Sequence, residues 1–376
     1  MASKGGVFPN IEARPTLKSP TREIISYNPM RIAPKVVCLR KLKFDIESET
    51  DDKRVPLALA SKVMGDVQSL LYHAGGYLVS KEMRLQGYPS KELLNKFTLY
   101  VGTPGAESID SSTTKPSTAG FGNVVDEAAD LVKEILDNMG GPGAGPWADD
   151  RFTHPIYRNQ IVADVVSLDE HLSEYPGYSL TYGREGDMER FGGVDVDKLL
   201  EYVKKRGRIG AGTALGMLKV TETRKGNAIA LDTGDGMARI TFFDANSRAA
   251  AETHADSGPV ILSGELSYSK DNLLVEITRA GSVTPLNEIG FSRMVSMDGD
   301  VKLKSPVRAT VGFDGGTWVL RNDDLGIISS KPDWDSAVRS FHDYFVFLWN
   351  QYFVAPGGDL DEEGLEVKEA LSAFVE

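Results

Sequence analysis

The residues able to do chemistry in this chain are few, and their spacing decides what each can do. Histidines stand at His73, His154, His171, His254 and His342. No two have the i, i+4 separation that lets one helix face present two imidazoles to a zinc ion. Asp169, Glu170 and His171 adjoin, a carboxylate–imidazole group able to move a proton. Neighbours on a helix point apart, however, and no nucleophile or activated water accompanies them. Asp232, Asp235 and Asp244, with Asp256 and Asp271 further on, carry oxygen donors suited to a hard cation. They lack the EF-hand spacing and its closing bidentate glutamate, and aspartates are ordinary turn residues. The glycine-rich run 207–212 resembles a phosphate-cradling loop, but no Gly-Lys-Ser/Thr follows and a helical pattern precedes it. It is expected to be a structural turn, because phosphate loops need a strand before and a helix after. No Gly-x-Ser-x-Gly elbow occurs, and the single cysteine, Cys38, sits among apolar residues where a thiol is inert packing. No metal, cofactor or catalytic residue is therefore expected. The enzyme alternative is a site assembled from residues remote in sequence, such as Asp169, His171 and Asp187.

Composition narrows the partners. The formal net charge is −12 and the pI about 5.1, a field that repels phosphate backbones and anionic membrane surfaces. One cysteine forbids an intramolecular disulfide, which fits a reducing, cytoplasmic setting. No run approaches the ~18–20 apolar residues of a membrane span, and the proline-bearing start of the chain has no signal-peptide core. At 376 residues and 41% hydrophobic the chain can bury two or three ordinary cores.

The pattern of apolar residues supplies the elements. Residues 1–30 read as a flexible arm and 31–140 as an α+β domain. That domain has a strand at 35–46, an amphipathic helix at 55–79, a short strand at 98–101, a mobile Ser/Thr/Gly/Pro loop at 103–122 and a second helix running from Asn123 to Met139. Residues 141–212 read as linker and connecting α/β segment. The run 140–146, with four glycines and two prolines, is too permissive for regular structure, a strand is expected at 161–168 and a helix at 194–205. Residues 213–290 carry strand patterns at 214–223, 228–232, 237–243, 260–268 and 273–280, with one helix at 245–254 between the third and fourth. That order predicts a small five-stranded barrel of the oligonucleotide/oligosaccharide-binding (OB) type. Lys219, Arg224, Lys225, Arg239 and Arg248 are its candidate phosphate contacts. Phe242 and Phe243 are candidate stacking platforms, of which one must face inward.

Residues 300–376 form a third module: strands at 307–313, 317–321 and 325–330, then a helix opened by Asp333 and loaded with aromatics. Trp334, Ala337, Val338, Phe341, Tyr344, Phe345, Leu348, Trp349 and Tyr352 make one broad stripe. Val346, Phe347 and Phe353 lie off it, more apolar surface than three strands would hide. An acidic amphipathic helix is expected after Asp359. Phe347, Trp349, Phe353, Glu362 and Glu363 are the candidate contacts for a protein partner.

The order of strands at 307–313, 317–321 and around Leu325, Gly326 and Ile327, followed by a helix whose apolar face begins at Ala337, resembles the β-β-β-α module of HicB-type antitoxins. The lead into the helix departs from that family, reading Lys331, Pro332, Asp333, Trp334, Asp335, Ser336, Ala337, and no helix-turn-helix follows. The resemblance implies a regulatory binding protein whose partner is a toxin or defence effector. The chain is thus expected to be a multi-domain, non-enzymatic α+β binding protein with a protein partner or a second copy of itself. A nucleic-acid-associated protein acting through the barrel is the alternative.

Overall fold

The computed structural model describes residues 42–49, 54–101, 111–112, 124–184, 186–223, 226–314, 316–354 and 360–374. The fold is α+β. Strand β1 (Lys43–Ser48) lies in a five-stranded sheet ordered β2-β3-β1-β4-β5, with β2 Tyr100–Val101, β3 Ser111–Ser112, β4 Tyr178–Arg184 and β5 Asp187–Arg190. Six helices accompany it: α1 (Leu57–Met83), α2 (Lys91–Leu94), α3 (Val124–Met139), α4 (Ala144–Arg151), α5 (Pro155–Ser173) and α6 (Val196–Arg206). Helix α1 buries Leu59, Val63, Val67, Leu70, Leu71 and Ala74, the three- and four-residue steps that put side chains on one face. It packs against α5 and α3. A Cβ at Gly75 would lie 2.5 Å from the Phe97 ring, so only glycine lets the 3₁₀ turn at Asn95–Phe97 approach α1 so closely.

Two expectations fail in this layer. Residues 161–168 are helical, inside α5. Ile161, Val162, Val165 and Val166 resemble a buried strand because α5 is covered on several sides, and burial on all faces hides helical periodicity. The run 140–146 is no bare linker either, since α4 begins at Ala144. Pro146 falls in the first turn of α4, where a missing N–H removes no intrahelical bond.

Strands β6 (Ile209–Thr223), β7 (Gly226–Asp232), β8 (Met237–Phe242), β9 (Pro259–Tyr268) and β10 (Leu274–Ala280) close on themselves. The antiparallel pairs are β6–β7, β7–β8, β9–β10 and β6–β9, and the parallel pair β8–β10 completes the ring. Helix α7 (Ala245–His254) lies between the third and fourth strands, and β11 (Val283–Pro285) adds to β9. The inward residues, among them Leu218, Leu231, Ile240, Leu262 and Ile277, form a core of their own.

The C-terminal sheet has four strands, ordered β12 (Glu288–Ser296), β13 (Gly299–Asp314), β14 (Thr317–Asn322) and β15 (Ile327–Lys331). It is covered by α8 (Trp334–Trp349) and followed by a π-turn, Asn350–Val354, and α9 (Glu362–Ser372). Asp333 caps α8 by accepting from Ser336 N at 2.7 Å, and Asp361 caps α9 by accepting from Gly364 N at 2.8 Å. The sheet gains β12, which the expected three-strand module omits, and β12 packs against both α8 and α1.

Buried residues from Leu42 to Leu199 and from Leu286 to Leu371 form one continuous core, reached also by Leu215 of the ring. Polar contacts cross the same boundary. Arg293 on β12 grips Glu127 of α3 through two bonds, 2.7 and 2.5 Å. Lys96 donates to Asp300 at 2.6 Å. Asp335 accepts from the backbone N–H groups of Gln86 and Gly87 at 2.7 and 2.8 Å, and Trp334 Nε1 donates to Arg84 O at 2.8 Å.

Candidate functional site

Three features present chemistry. The first is a cleft of about 720 Å³ where the end of α1, residues 150–157, β6 and the start of β12 meet. Leu85, Leu215, Ile261, Leu266, Leu286 and Ile289 supply an apolar floor, and Lys81, Arg84 and Arg151 stand on its rim with Asp150 and Glu288. Arg151 is held by Glu134 through Nε at 2.8 Å and Nη2 at 3.0 Å. Arg84 ends α1 with φ of 59°, the left-handed conformation that an L side chain adopts at a cost of about 1–2 kcal/mol. His154, in the cleft wall, tilts on Tyr268, ring centroids 4.9 Å apart, and meets Tyr157 edge-on at 5.3 Å. Burial lowers the His154 pKa to about 4, and its buried Nδ1 has no hydrogen-bond partner among the described residues. Tyr157 is wholly buried, its hydroxyl 2.5 Å from Ser80 Oγ.

The glycine-rich run 207–212 has a structural part here. Gly207 caps α6 with φ of 60°. A Cβ at Gly210 would lie 2.7 Å from Thr153 O, so glycine allows β6 to meet the start of α5. The run enters the ladder, Gly210 opposite Leu266 and Gly212 opposite Gly264.

The second feature joins α1 to α5. Asp66, Ser69 and His73 on α1 have the same spacing as Asp164, Ser167 and His171 on α5, within the shared pattern Asp-Val-x-Ser-Leu-x-x-His. The helices run antiparallel and exchange contacts. Ser69 Oγ donates to Asp164 at 2.8 Å and His73 Nδ1 bonds the other oxygen of that carboxylate. Ser167 Oγ donates to Asp66 at 2.8 Å, with His171 Nδ1 2.6 Å away on the same carboxylate. Burial, with a smaller contribution from Asp66, raises the Asp164 pKa against the opposing pull of His73 and Ser69. Both hydroxyls are tied to carboxylates rather than to imidazoles, so neither serine is set up as a nucleophile with a histidine base. The arrangement fixes the register of two helices. Aligning the chain with itself would have found it, since five of eight positions repeat at identical offsets. The adjoining Asp169 instead accepts from Val194 N at 3.0 Å, and Asp187 lies on the exposed strand β5.

The third is the outer face of α8. Phe347 is 56% and Tyr344 54% exposed, and with Asp343, Gln351 and Val354 they make one exposed strip. Beside it is a hollow of about 340 Å³ bordered by Met297, Arg339 and Asp343. Other expected contacts are placed differently. Trp349 is buried, stacked on the half-buried Phe353 at 4.1 Å, and Val346 is buried whereas Tyr344 is not. The buried stripe is thus rotated from the expected one, because β12 packs on the side of α8 that three strands would leave open. Glu362 is exposed in the first turn of α9; the side chain of Glu363 lies outside the described residues.

On the ring, Lys219 pairs with Asp256 at 3.1 Å, Arg239 with Glu276 at 3.0 Å and Arg248 with Glu252 at 2.9 Å. Phe242 packs inward against the ring core. Phe243 is 64% exposed with the Arg279 guanidinium 5.8 Å from its ring centre. Arg224, Lys225 and Cys38 lie outside the described residues, as does most of 103–122. Among the described residues no group of three His, Cys, Asp or Glu side chains is placed to hold a metal ion, and no helix is long and apolar enough to cross a membrane.

Comparison with known proteins finds no matching family model, no matching curated protein and no matching solved structure.

Proposed function

We propose that this chain is a non-enzymatic, cytoplasmic binding protein that engages a protein partner along the exposed strip of α8. The observation that carries the reading is the pairing of Tyr344 and Phe347, one turn apart and more than half exposed, on a helix whose other faces are packed. Aromatic anchors at helical spacing beside a hollow are what a grooved partner recognises. Asp343 on the strip and Asp361 and Glu362 at the start of α9 suit a partner with basic residues around its apolar centre. The resemblance of the C-terminal module to HicB-type antitoxins adds a regulatory role, with a toxin or defence effector as partner and a second copy of this chain as the other occupant of the strip. The test is co-purification from the native host. A stoichiometric partner lost in the Tyr344→Asp/Phe347→Asp double variant, with the melting curve unchanged, supports the reading; a partner retained by that variant, or none at moderate salt, contradicts it.

A nucleic-acid reading takes the five-stranded ring, with one helix between its third and fourth strands, as an OB-type barrel. Its favouring observation is the exposed Phe243 beside Arg279, a pairing suited to base stacking. Against it stand the carboxylate partners of Lys219, Arg239 and Arg248, which engage three of its expected phosphate contacts, and fold alone does not name a ligand.

A further inference from the structure

We propose that the cleft between α1, β6 and β12 is a binding site for an amphiphilic organic anion, an aliphatic carboxylate whose chain lies on the apolar floor and whose charged end meets Lys81 and Arg84.

The volume is the first argument. A space of about 720 Å³ falls within the range of small-molecule sites, roughly 300–1,000 Å³, and its floor is aliphatic. Charge is the second. Arg151 is already neutralised by Glu134 and Glu288 by Arg308. Neither Lys81 nor Arg84 has an ion-pair partner within 4.0 Å among the described residues, in a chain of net charge −12. Lys81 stands in the last turn of α1 and Arg84 is the residue that ends it, and both border the cleft. Cations at a helix C-terminus are favoured by the dipole in any protein, and that alone would explain Lys81. It does not explain Arg84, which occupies a left-handed position where glycine or asparagine is the unstrained choice. An arginine kept there against backbone strain has a use for its side chain.

The same residues argue against a nucleotide. A polyphosphate needs several free donors or a nest of backbone amides, and Gly210 and Gly212 are paired with β9. Among the described residues Asp150 is the one rim carboxylate without an ion-pair partner, so the two free cations leave a net positive rim that suits one carboxylate above an apolar body.

The experiment is calorimetric titration of the whole protein with decanoate, and with decanol as the uncharged probe of equal length. One decanoate per chain is expected, at least tenfold tighter than decanol. Lys81→Gln/Arg84→Gln should weaken decanoate at least tenfold and leave decanol unchanged. Ala211→Trp, a substitution at an exposed cleft-wall position, should abolish binding of both while thermal melting confirms the fold. Tyr344→Asp/Phe347→Asp should leave decanoate binding intact, which separates this site from the α8 surface. Absence of decanoate binding, equal affinity for decanol, or binding indifferent to Ala211→Trp would overturn the proposal.

Discussion

His171 Nδ1 lies 2.6 Å from a carboxylate oxygen of Asp66 on the antiparallel helix, and His73 stands in the same relation to Asp164. Each carboxylate also holds the serine four residues before its histidine. The α1–α5 crossing is thus pinned twice by the same device, with roles exchanged between helices. Replacing Asp66 by alanine strands a serine hydroxyl and an imidazole in a part-buried seam, a loss of about 2 kcal/mol. Asp164→Ala should cost a similar amount. Urea unfolding of both variants measures this, and a large loss in one with none in the other would break the equivalence.

Acid should destabilise the protein beginning below pH 6.5. Burial depresses His154 to about 4 and His342 to about 3. A group depressed in the folded state contributes stability above its unfolded pKa and loses it as pH falls, because only the unfolded chain takes up the proton. Each histidine should cost about 1.4 kcal/mol per pH unit between its unfolded and folded pKa. The buried carboxylates Asp300 and Asp335, which burial raises, protonate first in the folded state and offset part of this loss at lower pH. His154→Phe keeps the ring contacts with Tyr157 and Tyr268 and removes one such proton. Its stability should therefore fall less steeply from pH 6.5 to 4.5, a slope read by urea titration at several pH values.

The C-terminal module should not fold alone. Phe291, Met294 and Val295 on β12 share a core with the α1 side of the molecule, and the 4%-exposed Arg293 depends on Glu127. A fragment of residues 286–376 exposes that core and should give no cooperative melt. Within the full chain, Glu127→Ala leaves the Arg293 guanidinium buried without its carboxylate and should cost about 3 kcal/mol. A sharply melting fragment would restore the module to independence.

The ring is the part most legible from sequence. Its strands alternate with period two and its turns carry glycine and asparagine, so strand patterns at 228–232 and 260–268 fall almost where β7 and β9 lie. Helix α5 was hidden because residues such as Val162, Val165 and Val166 are buried on more than one side, which erases amphipathic contrast. Strand β12 shows period-two alternation in its first half, Ile289 and Phe291 between Glu288, Gly290 and Ser292, but it falls across the boundary expected between the barrel at 213–290 and the module at 300–376. The α8 strip was half legible: Phe347 stands out by lying off the aromatic stripe, but the cover of Trp349 by Phe353 and of the rest of the buried face by β12 depends on the turn after α8 and on a fourth strand. No local pattern tells that Lys81, Arg84 and Leu286 line one cleft, since chain segments some two hundred residues apart bring them together.

Nucleic-acid binding by the ring should be weak. With Lys219, Arg239 and Arg248 paired to carboxylates, single-stranded DNA should show no binding at physiological salt by fluorescence anisotropy, and Phe243→Ala should change nothing. A salt-dependent affinity that Phe243→Ala reduces would instead favour the barrel reading.

The central claim is that α8 carries the partner contact, and site-specific photo-crosslinking in the native host tests it most directly. A benzophenone side chain replacing Phe347 should give one discrete adduct, and the same group replacing Phe243 on the ring should not give that adduct. No adduct from position 347, or the same adduct from both positions, would contradict the account.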